Sequence, residues 1–136
     1  MKANELMIGD WVKVTDDDTD DSFIGQVKAI DALENVNVPE GEDVAYPYSI
    51  DCLEPIPLTP EILEKNGFDV SDPEVSIYRF EEDGQVFRFC LRRMYNKDNR
   101  PNGYSFYAFN VLAIIDSVHE LQHAFRICGI DKTIEI

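Results

Sequence analysis

Histidine is nearly absent from this chain of 136 residues: His119 and His123 are its only two. Any metal or acid–base chemistry that needs imidazole must therefore come from one short stretch. Cysteine is sparse as well. Cys52, Cys90 and Cys128 are odd in number, far apart and form no C-x-x-C pair. A disulfide framework and a cysteine zinc cluster are thereby unsupported. Each cysteine lies beside apolar residues, so three buried, reduced thiols are expected. No apolar run approaches the roughly 20 residues of a membrane span. The opening Met1-Lys2-Ala3-Asn4-Glu5 lacks the apolar stretch of a signal peptide. A cytoplasmic protein with no membrane partner is the expectation. No Ser-His-Asp pattern, phosphate loop or dinucleotide glycine motif occurs.

Positive charge is scarce and unevenly placed. The net charge is −15. Residues 1–83 hold 22 acids and 5 bases, a balance of −17, whereas residues 84–136 hold 5 acids and 7 bases, a balance of +2. This makes nucleic acid an unfavourable partner for the front of the chain. It also allows two molecules to meet acidic half to basic half.

What is present suffices for a folded core. Hydrophobic residues make up 44% of the chain and aromatics 11%, enough to bury a core without disulfides or metal. Met7 to Val14 reads as a turn glycine followed by an alternating strand, with Trp11 and Lys13 on one face and Val12 and Val14 on the other. An acidic loop, Thr15 to Ser22, separates it from a second strand, Phe23 to Ile30. Gly25 inside that strand signals a bulge or a close backbone approach. Asn35–Val38 and Tyr46–Leu53 read as two more strands, with Pro39 to Glu42 as a turn. This pattern suggests an SH3-like small β-barrel over residues 1–58. Asp16, Asp18 and Asp20 follow the D-x-D-x-D spacing of a calcium loop. Asp21 and Val27 stand where such a loop needs glycine and glutamate, so a solvated loop is expected.

Thr59, Pro60, Glu61 and Gly67 mark the start and stop of a short helix. Ser76–Glu81 and Gln85–Arg92 read as a hairpin around Glu82-Asp83-Gly84. In its second strand Arg88, Cys90 and Arg92 share one face, and Phe87, Phe89 and Leu91 the other. A polar loop from Tyr95 to Gly103 leads to an aromatic strand, Tyr104–Phe109, and a further strand, Val111–Ile115. Asp131–Ile136 reads as a short terminal strand. The expected class is α+β: the SH3-like module, then an antiparallel sheet over residues 59–136 packed against a C-terminal helix.

That last helix carries the sharpest motif, His119-Glu120-Leu121-Gln122-His123. H-E-x-x-H is the zinc-hydrolase arrangement, with His119 and His123 as metal ligands and Glu120 as general base. Ser117-Val118-His119-Glu120 equally spells a capping box, which would occupy Glu120 at the helix start. The apolar stripe Val118, Leu121, Phe125 and Cys128 faces the core, leaving His119, His123 and Arg126 toward solvent. No third histidine exists, and Arg126 and Gly129 replace the glycine and histidine of the longer zincin motif. The capping reading is favoured; a zinc-dependent hydrolase using Glu120, His119 and His123 is the alternative.

Ile8-Gly9-Asp10-Trp11-Val12, Glu54-Pro55-Ile56-Pro57-Leu58-Thr59, the Gly67-Phe68 helix end and Val118-His119-Glu120-Leu121-Gln122 together resemble a family of small proteins of Bacteroides-type bacteria and their phages. Members of that family carry an EPIPLT segment before a short helix and finish on a YVHELQN or YVHQLQN helix. Ser117 stands where they have tyrosine, and His123 where they have asparagine. The resemblance implies a structural role for the helix and brings no catalytic residue or cofactor with it.

Arg88, Arg92, Arg93, Lys97 and Arg100, with Tyr95, Tyr104 and Tyr107, form the one basic–aromatic neighbourhood. Of these, Arg88, Arg92, Arg93 and Tyr95 are the candidate partner-binding residues, although the acidic balance favours their neutralising the front half of the same molecule. The sequence thus points to a non-enzymatic binding protein that recognises a protein partner or a second copy of itself, with no cofactor. The remaining alternative is an acidic phage-type inhibitor that imitates nucleic acid.

Overall fold

The computed structural model describes residues 1–41, 45–108 and 111–136. The class is α+β, with antiparallel sheets and a C-terminal helix. The chain divides into two compact units, Met1–Ile56 and Pro57–Ile136.

In the first unit, β1 (Trp11–Thr15) pairs with β2 (Ser22–Gln26) on one side and β6 (Leu53–Pro55) on the other. A second three-stranded sheet joins β3 (Ala29–Ile30), β4 (Val36–Val38) and β5 (Tyr46–Tyr48). Val12 and Val14 are fully buried while Trp11 and Lys13 are not, as the alternation predicts. Val36, Val38, Val27, Leu53 and Leu6 complete the core. No ladder among the described residues joins the two sheets into a closed barrel.

Two expected strands prove to be composite. Phe23–Ile30 changes partners at Val27, whose N–H donates to the Asp10 carbonyl at 2.9 Å; the next N–H, of Lys28, donates to the Asn37 carbonyl at 2.8 Å. One run thus serves both sheets, and local apolar content does not reveal the switch. Tyr46–Leu53 is broken by a 3₁₀ turn at Ile50–Cys52, started by Ser49, whose hydroxyl accepts from the Asp51 N–H. Gly25 marks a close approach, not a bulge. Its register with Val12 is unbroken, but a Cβ there would lie 2.6 Å from Val38 Cγ1 and 2.9 Å from the Pro39 carbonyl oxygen. Glu42, the end of the expected Pro39–Glu42 turn, lies outside the described residues.

The second unit opens with α1 (Pro60–Lys65). Thr59 caps it, its hydroxyl accepting from the Ile62 N–H at 3.3 Å. A four-stranded sheet runs in the order β10 (Val111–Ile115), β9 (Pro101–Ala108), β8 (Gln85–Tyr95), β7 (Val75–Glu82). The β7–β8 hairpin turns on Asp83 and Gly84, both at positive φ (51° and 75°), the two-residue geometry whose twist matches that of the strands. Both strands outrun the expected hairpin, and the polar loop shrinks to residues 96–100, where the Asn96 side chain accepts from the N–H groups of Asp98 and Arg100. Phe109 lies outside the described residues.

Helix α2 (Val118–Ile127) packs on the inner face of this sheet. Phe125 meets Phe89 edge-on at 4.8 Å, stacks on Phe68 at 6.0 Å and tilts against Tyr78 at 5.3 Å. Such contacts add to the burial of the rings themselves.

The expected terminal strand Asp131–Ile136 does not form. The buried Asn66 side chain takes a partner strand's place, donating to the Glu135 carbonyl at 2.7 Å and accepting from the Glu135 N–H at 2.7 Å. It also donates to the Ile62 carbonyl at 2.8 Å. One amide thus anchors the tail and lets Ile134 bury. Replacing Asn66 by Ala leaves the part-buried Glu135 N–H and carbonyl without this partner, a cost of about 1 kcal/mol. The expected result is a lower melting temperature, with hydrogen exchange at Glu135 accelerated more than in α2.

Candidate functional site

The motif helix combines a buried histidine with a committed glutamate. The Glu120 carboxylate accepts from the backbone N–H of Asp116 at 2.8 Å and of Ser117 at 3.3 Å. These are the donors that the start of a helix leaves unsatisfied. His119 is buried, its Nδ1 3.2 Å from the Ser117 hydroxyl. This corrects the expectation of a solvated histidine face. Gln122 and Ala124 are buried along with Val118, Leu121 and Phe125, so the covered arc is wider than the apolar stripe, and His119 falls at its edge. His123 is half-buried, its ring 5.7 Å from that of His119 and nearly perpendicular to it. Among the described residues no group of three or more His, Cys, Asp or Glu side chains converges on a point that could hold a metal ion.

Two carboxyl groups meet at this helix start. Burial raises the Asp116 carboxyl above the ordinary aspartate range, and the neighbouring Glu120 raises it further. Burial also pushes Glu120 upward, but hydrogen bonds from Asp116 and Ser117 outweigh it and leave that carboxyl below its ordinary value.

The basic neighbourhood divides between the two faces of the sheet. Arg88 and Arg92 are exposed on the face away from α2, and Arg79, directly across from Arg88, shares that face. Arg93 turns to the other side, its guanidinium 5.9 Å from the Tyr104 ring centroid and 3.5 Å from the Tyr104 hydroxyl. It borders a cavity of about 200 Å³ with Ser76, Asp72 and Pro60. Tyr95, beyond an irregularity in the β8–β9 register, donates to a Glu74 carboxylate oxygen at 2.7 Å.

A site the sequence reading missed lies in the first unit. Asp16, Thr19, Asp21, Phe23, Glu40 and Tyr48 line an open pocket of about 320 Å³. Phe23 and Tyr48 meet edge to face with centroids 5.9 Å apart. The calcium-like spacing does not gather its carboxylates. Asp16 accepts from the N–H groups of Asp18 and Thr19 and folds the loop, while Asp17 accepts from the buried Cys52 thiol at 3.3 Å. The pocket's negative field acts on its own wall: burial and then the charges of Asp16 and Glu40 raise the Tyr48 hydroxyl above its ordinary range, keeping it neutral. Carboxylates and aromatic rings lining one pocket suit a cation. The available signal was the pairing of an acidic loop with aromatic residues in the strands after it. All three cysteines are free, but only Cys52 is buried; Cys90, on the sheet face away from α2, and Cys128, at the end of α2, are half-buried.

The helix start gives a pH-dependent expectation. The penalty for ionising Asp116 is absent below the ordinary aspartate pKa of about 3.9 and complete once the pH exceeds the raised folded value. Glu120 acts oppositely: its stabilisation is present above its ordinary value and lost as the pH falls through the lowered folded one. Asp116→Asn should therefore stabilise the fold near neutral pH by about 0.2–0.5 kcal/mol, the scale of a like-charge pair on a helix. Glu120→Ala should destabilise it by about 0.5–1 kcal/mol. Thermal melts at neutral pH and at pH ~3 check both, since each effect should fade in acid.

Comparison with protein-family models, with curated proteins and with solved structures returned no match.

Proposed function

We propose that the chain is a non-enzymatic binding protein whose first unit, an SH3-like module, receives a positively charged side chain of a protein partner. The pocket of Asp16, Asp21, Glu40, Phe23 and Tyr48 carries this reading. The carboxylates accept the donors of an arginine or lysine head, and the Phe23–Tyr48 pair flanks its apolar stem. A cation over an aromatic face contributes about 0.5–1 kcal/mol at an exposed site, and each hydrogen bond to a charged group about 1.5–3 kcal/mol. The SH3-like assignment draws support from two three-stranded sheets that share the Phe23–Ile30 run, and from the 3₁₀ turn that returns the chain to pair with β1. The role of Glu120 as a helix cap favours binding over hydrolysis.

Calorimetric titration with short arginine- and lysine-rich peptides tests the proposal. Binding is expected for basic peptides and not for acidic ones of equal length, with Asp21→Lys/Glu40→Lys weakening it at least tenfold, which is about 1.4 kcal/mol. Equal affinity for acidic and basic peptides, or full binding by the double variant, would contradict it.

A further inference from the structure

The face of the four-stranded sheet away from α2 has an unusual charge layout. Arg79 and Arg88 stand directly opposite each other across the β7–β8 pair. Like charges in that relation destabilise a sheet. Asp69 offsets Arg79 through an exposed ion pair at 3.6 Å. Arg88 and Arg92 make no ion pair among the described residues, and the nearest acid on their face is Glu81, opposite Val86. The two arginines lie four residues apart on one strand, about 13 Å. Around them the same face carries Ile77, Cys90 and two exposed apolar side chains, Val86 (67%) and Ile114 (65%). Mixed arginine and apolar surface is the composition of a protein interface.

The occupant must be acidic and must tolerate apolar contact. A polyphosphate offers the first property, but it would approach a molecule of net charge −15 and would leave Val86 and Ile114 in water. The first unit of the same chain has both properties. Residues 1–56 hold 14 acids and 3 bases, a balance of −11, and its pocket sets carboxylates beside Phe23 and Tyr48.

We infer that the Arg79–Arg88–Arg92 face docks on the acidic first unit of a second copy of this chain, with an arginine head entering the pocket of Asp16, Asp21 and Glu40. The inference rests on the reading of that pocket as a cation site and names its occupant. Reciprocal contacts close a twofold dimer; a single contact repeated propagates a chain of copies. Salt of about 0.15 M, with a screening length of about 8 Å, quenches the long-range repulsion of two acidic molecules and leaves contact pairs partly intact. At about 1 M, where that length is about 3 Å, contact pairs weaken as well.

Sedimentation equilibrium over a range of protein concentrations tests this. The wild-type protein is expected to gain mass with concentration at moderate salt and to return to monomer at high salt. Arg88→Glu/Arg92→Glu and Asp21→Lys/Glu40→Lys should each raise the dissociation constant at least tenfold. An equimolar mixture of the two variants should associate again, because each supplies the charge that the other has lost; this restoration also shows that both are folded. A wild-type protein that stays monomeric, or an Arg88→Glu/Arg92→Glu variant that associates like wild type, would overturn the inference. Retention of basic-peptide binding in that event would leave the cation pocket standing, whereas loss of both would end both readings.

Discussion

The contact of Phe125 with Phe89 fixes which way the side chains of β8 face. Strand side chains alternate, so once Phe89 and Leu91 turn toward α2, Arg88 and Arg92 must turn away. A slip of one residue would bury both guanidinium groups without partners, at a cost of several kcal/mol. The same packing draws α2 close enough to cover His119 and Gln122 as well as the apolar stripe. The arginine face and the buried histidine are thus two consequences of one aromatic contact.

The first unit is governed by a different constraint, the close approach of β2 to the end of β4 at Gly25. There a strand serves two sheets, and the acidic loop before it lies near Glu40 and Tyr48. Concentrating carboxylates in this way is unfavourable without compensation. Local donors supply part of it: backbone N–H groups satisfy Asp16, and the Cys52 thiol donates to Asp17. Burial and the adjacent Asp17 charge hold that thiol above its ordinary pKa, so it remains a protonated donor. Asp21 and Glu40 are left exposed at the pocket rim.

Much of this architecture was legible in sequence where a local rule governs it. The Val12/Val14 alternation, the Thr59 and Glu120 caps, the Asp83-Gly84 turn and the in–out pattern of Arg88 and Phe89 all follow from neighbours within four residues. What escaped depends on distant chain. The partner switch at Val27 needs Asp10 and Asn37, and the anchoring of the tail needs Asn66, whose type gives no sign that it will stand in for a strand. The pocket joins Asp16 to Tyr48, which lie far apart in the chain. The burial of His119 depends on how widely α2 is covered, which the spacing of apolar residues understates when Gln and Ala share the interface. The basic cluster, continuous in sequence, is parted by the pleat, which sends Arg93 to Tyr104 and Arg88 to the opposite face.

The cation pocket is the point on which the functional reading turns, and backbone amide shifts during titration with an arginine-rich peptide examine it residue by residue. Perturbations should gather at Asp16 to Phe23, at Glu40 and at Tyr48, and leave the helix that carries His119 and His123 unmoved. Shifts centred on that helix instead, or none at saturating peptide, would contradict the assignment of binding to the acidic pocket.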